Sequence, residues 1–306
     1  MTGVASLSRP ADATVRDAVL AALAYADVFH WPLTADEVHR ALPVPSDRAD
    51  VGHALASLVD RGQVACVDDL YLLGDARDRV AERRRREAHS ARLWRSARRY
   101  GRVVAILPGV RMVAVSGSLA VNAADAAADV DLFVVTEDDR LWTTRAFVVA
   151  TVRLASVLSM GRTVLCPNFM VAMSNLALAE HDPFTAHELA QLVPLAGVAT
   201  YERLLTENMW FLDHLPNAVS RASIAARSKR RPVSAWALRR SAVGRFEQWE
   251  RRRKTARLAA AAPSVEAHYA DDACKGHVDG HRARILAEYE WRLGALGLTT
   301  FTEVEA

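Results

Sequence analysis

Asp129 and Asp131 flank Val130 at the mouth of an apolar run formed by Leu132, Phe133, Val134 and Val135. A buried strand rarely carries carboxylates, because an ionised group leaves water at a large cost unless something compensates it. Side chains on a strand alternate faces, so the two acids share one face while Val130 and Leu132 point into the core. Same-face neighbours sit roughly 6–7 Å apart, close enough for two carboxylates to converge on divalent cations. Upstream, the apolar residues 113–115 end at Ser116-Gly117-Ser118, and residues 119–128 form an Ala-rich interval that opens with a turn of helix. Glycine there lets the backbone approach a phosphate, to which the Ser118 hydroxyl and the following amides can donate.

An apolar strand, Gly117, Ser118, an interval of ten residues and then Asp129-Val130-Asp131-Leu132 resembles the signature of the DNA polymerase β-like nucleotidyltransferase superfamily. The resemblance implies an α+β nucleotidyltransferase core in an α/β chain. It also implies an NTP held at Gly117 and Ser118, Mg²⁺ held by the catalytic Asp129 and Asp131, and transfer of a nucleoside monophosphate to a hydroxyl acceptor. The next core strand, read over residues 163–171, offers Cys166 and Asn168 and no third acid. Arg140 and Arg145, just past the acidic strand, are candidates to clamp phosphate, and Asn168 is a candidate to hold a water or a substrate hydroxyl. A catalytically degenerate nucleotide- or RNA-binding module is the alternative that the absent acid favours.

These residues need elements to position them. Residues 14–26, 34–42 and 47–61 read as three helices, with a capping box at Thr34 and Glu37 and a stop at Gly62. Residues 64–67 and 70–73 follow as short strands around Asp68-Asp69. Three helices and a hairpin over residues 1–75 resemble a winged helix, the basis of a second alternative, a DNA-binding regulator. Its charge opposes duplex DNA: residues 1–75 carry 5 basic and 11 acidic side chains, whereas non-specific affinity needs an excess of cations. Residues 76–102, with 11 basic and 3 acidic side chains, read as a basic connecting helix. A strand is expected near residues 103–107 inside a core of residues 103–175, and a helical C-terminal region over residues 176–306. Cys166-Pro-Asn-Phe, Thr185-Ala-His-Glu-Leu-Ala-Gln and Leu215-Pro-Asn resemble a group of prokaryotic nucleotidyltransferase-domain proteins that carry an N-terminal winged helix. His187 and Glu188, in that stretch, could take part in acid-base chemistry or serve only the start of a helix.

Half of the 306 residues are hydrophobic, enough for a sizeable core, and no apolar run is long enough to cross a membrane. Three scattered cysteines fit reduced thiols and a cytoplasmic setting. Residues 221–257 interleave Arg and Lys with Trp236, Phe246 and Trp249, a composition that suits an RNA groove or helix packing. The acidic segments around each basic one can neutralise it within the fold, which tilts the acceptor toward a small molecule rather than RNA. Cys274, His277 and His281 have the spacing of one helix face and make a weak zinc candidate.

Overall fold

A computed structural model describes residues 12–74, 77–158, 165–219, 240–261, 268–275 and 280–298. The chain begins with helices α1 (Asp12–Val28), α2 (Ala35–Ala41) and α3 (Arg48–Asp60), then hairpin strands β1 (Ala65–Val67) and β2 (Leu70–Leu72). The capping box forms: Thr34 Oγ1 accepts from the Glu37 amide at 3.3 Å, and Glu37 Oε2 accepts from the Thr34 amide at 2.8 Å. Asp68 and Asp69, with φ of 53° and 60°, make the two-residue turn that matches strand twist. Ala18, Val19, Leu23, Val38, Leu55 and Leu58 build a core of this part.

Helix α4 (Arg77–Ala105) runs through the region where a strand was expected at residues 103–107. Leu93, Ala97, Gly101 and Val104 are buried, spaced four, four and three apart on one stripe with Ala105 beside it, while Val103 and Ile106 are exposed; helical periodicity overrides the local β-branched composition. Strand β3 (Val110–Val115), helix α5 (Gly117–Ala120), strand β4 (Val130–Thr136), helix α6 (Leu141–Leu158) and strand β5 (Leu165–Ala172) follow.

The remaining elements are α7 (Pro183–Gln191), β6 (Val193–Ala196), α8 (Val198–Glu207), α9 (Phe211–His214), α10 (Arg240–Ala261), β7 (His268–Tyr269), β8 (Ala273–Lys275) and α11 (His281–Ala295). The C-terminal region is therefore not purely helical. Its three strands join the sheet, whose order is β6-β3-β4-β5-β8-β7, with β4 and β5 parallel and the other pairs antiparallel. The chain is mixed α/β with a mixed sheet.

Both faces of the sheet are covered, which explains the continuous apolar run of β4. Val130, Leu132 and Val134 pack with α4 and α6, whereas Phe133 and Val135 pack with Leu189 of α7 and Tyr201 of α8. Among the described residues no helix is long and apolar enough to cross a membrane.

Candidate functional site

Asp131, half-buried at the second position of β4, stands in register beside Cys166 of β5. From this pair to the next, Phe133 with Phe169, β5 carries one residue more than β4, a bulge that holds Asn168. The Ser116 amide donates to the Asp131 carbonyl at 3.1 Å, tying the end of β3 to the start of β4. Gly117 then takes a φ of 63°, and a Cβ built on it would lie 2.6 Å from Asp131 Oδ2. Only glycine meets both demands, so backbone and carboxylate are fitted to each other. Gly117→Ala is expected to cost about 1–2 kcal/mol in backbone strain and to push the Asp131 carboxylate aside. Thermal melts with and without Mg²⁺ test this: the melting point falls and any Mg²⁺-dependent rise shrinks, and a wild-type response to Mg²⁺ would contradict the fit.

Electrostatics follow from crowding. Burial, and then the charge of Asp129, push the Asp131 carboxyl up to about 6. Asp129 itself is exposed, just ahead of β4. Burial, then Asp131 and Asp129, with Arg145 opposing, push the Cys166 thiol up to about 11, so it stays protonated and is no nucleophile at neutral pH. Among the described residues no third carboxylate, histidine or cysteine joins the two aspartates in a group that could hold a metal ion. Asp182 is committed elsewhere: it caps α7 by accepting from the Thr185 amide at 2.9 Å and pairs with Arg282.

These groups face a cavity of about 770 Å³. Its sheet side holds Ser116, Gly117, Ser118, Asp131 and Asn168, and residues of α1, α2 and α7 line the rest. Arg40, on α2, is half-buried, lines the cavity and makes no ion pair among the described residues. Sequence reasoning passes over Arg40 because nothing in its neighbourhood says that α2 folds onto residues 117–131. Tyr25, Phe29 and Trp31, to which the sequence reading gives no role, line the cavity as well. His187 and Glu188 of α7 do so too.

Of the predicted site residues, then, Gly117, Ser118, Asp131 and Asn168 share one cavity, with Asp129 beside it. Arg140 and Arg145 do not line it. Chain direction is the reason: α6 starts beyond the far end of β4 and returns across the other face of the sheet. Arg145 contacts Cys274 and lies 5.8 Å from the Trp142 ring centroid, while Arg140 lies near Gly109. Arg140 Nη1 and Arg145 Nε are buried without hydrogen-bond partners among the described residues.

The zinc spacing fails as a helix face, because Cys274 belongs to strand β8 and His281 opens α11; His277 lies outside the described residues. Trp236 also lies outside them. The segment that follows it serves the fold through Glu247, whose carboxylate accepts from the Trp142 and Thr143 amides at 2.7 and 2.6 Å and so caps α6. Comparison with protein-family models, with curated proteins and with solved structures finds no match to the chain.

Proposed function

We propose that the chain is an Mg²⁺-dependent nucleotidyltransferase of the DNA polymerase β-like superfamily, carrying an N-terminal winged helix, that moves a nucleoside monophosphate from an NTP to the hydroxyl of a small acceptor. The observation that carries the reading is the fit of Gly117 against Asp131, which joins a phosphate-approaching turn to a buried carboxylate in one cavity. The donor set suits the ion: two carboxylates are hard oxygen ligands, and a carboxyl pushed up to about 6 by burial and a like charge is one that a cation relieves. Asp129 and Asp131 would hold Mg²⁺, which when bound supplies Lewis-acid stabilisation of charge on the transferred phosphoryl group.

The chain's own residues do the rest. Ser118 and the amides after Gly117 bind phosphate oxygens, and Arg40 adds a charge-assisted contact from α2. Asn168 orients the acceptor hydroxyl. The acceptor oxygen bonds to the α-phosphorus, the bond to pyrophosphate breaks with its electron pair leaving on pyrophosphate, and the hydroxyl proton passes to water. Helices α1 and α2 exclude bulk water from the side away from the sheet.

The small acceptor is favoured because several cations of the basic segments are paired internally. Arg83 pairs with Glu37, Arg84 with Asp68, Arg85 and Arg86 with Glu82, Arg251 with Asp271, and Arg253 with Glu250. These pairs lower the positive field available to RNA, leaving Arg92, Arg95, Arg98, Arg99 and Arg102 of α4 exposed, and the acidic N-terminal module does not suit duplex DNA. An NTP substrate agrees with a cytoplasmic setting.

Titration with ATP, GTP, CTP and UTP in the presence of Mg²⁺ is the test. Saturable binding of at least one is expected, and Arg40→Glu raises the half-saturating concentration about 10- to 100-fold. Failure of all four NTPs to bind overturns the function, and an unchanged Arg40→Glu titration removes Arg40 from the phosphate site.

A further inference from the structure

The chemistry proposed above uses the sheet side of the cavity and leaves the side between α1 and α7 without a role. That side is aromatic, where Tyr25, Phe29 and Phe184 pack in one cluster and line the cavity. Stacked on Tyr25 is a side chain with a buried polar atom that has no partner among the described residues, Nε2 of His187. His187 lines the cavity and is 8% exposed. Its Nδ1 lies 2.8 Å from the Pro183 carbonyl oxygen, which can only accept; Nδ1 therefore carries the proton and Nε2 keeps a lone pair.

The ring is fixed in that orientation. It stacks on Tyr25 at 3.7 Å between centroids and 13° between planes, and Tyr289 meets the Tyr25 ring edge-on at 5.3 Å. Burial, against the Pro183 bond and with help from His214, pulls the imidazole down to about 4, so the lone pair is present at neutral pH. A buried acceptor left unpaired destabilises the site, and a donor on a bound molecule removes that cost.

We infer that the side of the cavity between α1 and α7 is the acceptor subsite, and that it takes an aromatic small molecule with a hydroxyl, separate from the one that Asn168 orients, that donates to His187 Nε2. Two features select this class. Aromatic walls favour a planar apolar body through stacked and edge contacts. A lone-pair acceptor rejects analogues without a donor, because they leave it unpaired. That the bound molecule is the acceptor rests on the nucleotidyltransferase reading; that it binds does not.

The probes are 4-ethylphenol and 4-ethylanisole, which differ in the donor, titrated into the full chain without nucleotide or Mg²⁺. The phenol is expected to bind about 10-fold tighter, the worth of one buried hydrogen bond. His187→Phe keeps a ring on Tyr25 and removes the acceptor, and should bring the two probes within about 2-fold of each other. In the wild type, the ¹⁵N resonance of His187 Nε2 should move with the phenol and stay with the anisole, a readout that needs no variant to fold. Equal binding of the probes, failure of both to bind, or discrimination that survives His187→Phe overturns the subsite. The expected binding in a chain that binds no NTP upholds the subsite and overturns the nucleotidyltransferase reading, so the two failures are distinct.

Discussion

Asp131→Asn is expected to melt at a higher temperature than the wild type at pH 8 and to lose roughly 10²- to 10³-fold in NTP turnover, the worth of several kcal/mol of transition-state stabilisation. The stability gain follows from the raised carboxyl. A carboxyl whose folded value exceeds its unfolded one stabilises the fold while protonated; that contribution is fully present below about pH 4 and lost as the pH rises through about 6. The gap between about 6 and the ordinary 3.8, at about 1.36 kcal/mol per pH unit, amounts to about 3 kcal/mol. Asparagine cannot ionise, so its advantage appears above pH 6 and vanishes at pH 4. Mg²⁺ should raise the melting point of the wild type and leave that of Asp131→Asn unmoved. Melting curves from pH 4 to 8 with a pyrophosphate-release assay check both arms, and a variant that melts lower at pH 8 or keeps its turnover would refute the assignment.

Arg83→Met should cost about 3 kcal/mol of stability and weaken NTP binding, although Arg83 lies outside the cavity. Its side chain is 6% exposed, donates to both Glu37 carboxylate oxygens at 2.8 and 3.1 Å and to Glu87 at 2.9 Å, reaches the Pro32 carbonyl, and lies 4.6 Å from the Trp31 ring centroid. It thus pins α4 to the capping box of α2, the helix that brings Arg40 to the cavity. The low end of the range for breaking a buried ion pair applies, because the Glu37 side chain keeps 26% of its surface in water. Burial alone would push the Glu37 carboxyl up, but the Arg83 guanidinium and the Thr34 donors hold it below the usual carboxylate range. A lowered carboxyl stabilises the fold above its unfolded value and loses that contribution as the pH falls through its folded value. The wild type should therefore show an acid loss that Arg83→Met lacks. Arg83→Met with Glu37→Gln should recover part of the deficit, and a deficit under about 1 kcal/mol with an unchanged acid limb would show the pair to be ornamental.

Local rules were legible wherever a local rule decides the structure. The capping box at Thr34 and the turn at Asp68-Asp69 both form from residues within four of one another. The same holds for the Gly117-Ser118 turn and the paired aspartates. What required the tertiary fold was misread or missed. Residues 103–107 look like a strand until one knows that Gly101 packs against Leu195 and that Val104 continues the buried stripe of α4. Val193–Ala196 seemed to end a helix at Pro194, but as an edge strand it tolerates the missing amide. Arg140 and Arg145 are near Asp131 in sequence, and the direction of β4 carries them away; Arg40 and His187 are distant in sequence and are brought in.

The long-range closure of this fold has a consequence during translation. The Trp142 amide that opens α6 is capped by a residue 105 positions later, the free edge of β5 is covered by β8, and Asp27 of α1 waits for Arg292, 265 positions on. At about 5–20 residues per second, the interval between synthesis of Asp27 and of its partner is on the order of 10–50 s. For about 5–20 s of that time, between synthesis of β5 and of β8, the nascent chain holds an apolar parallel strand pair with one edge unpaired, the geometry that recruits a strand from a neighbouring chain. Polysomes crowded with such intermediates set the yield of this protein by the speed at which β8 and α11 emerge, and a slow codon run just ahead of residue 268 would lower that yield without altering the finished molecule.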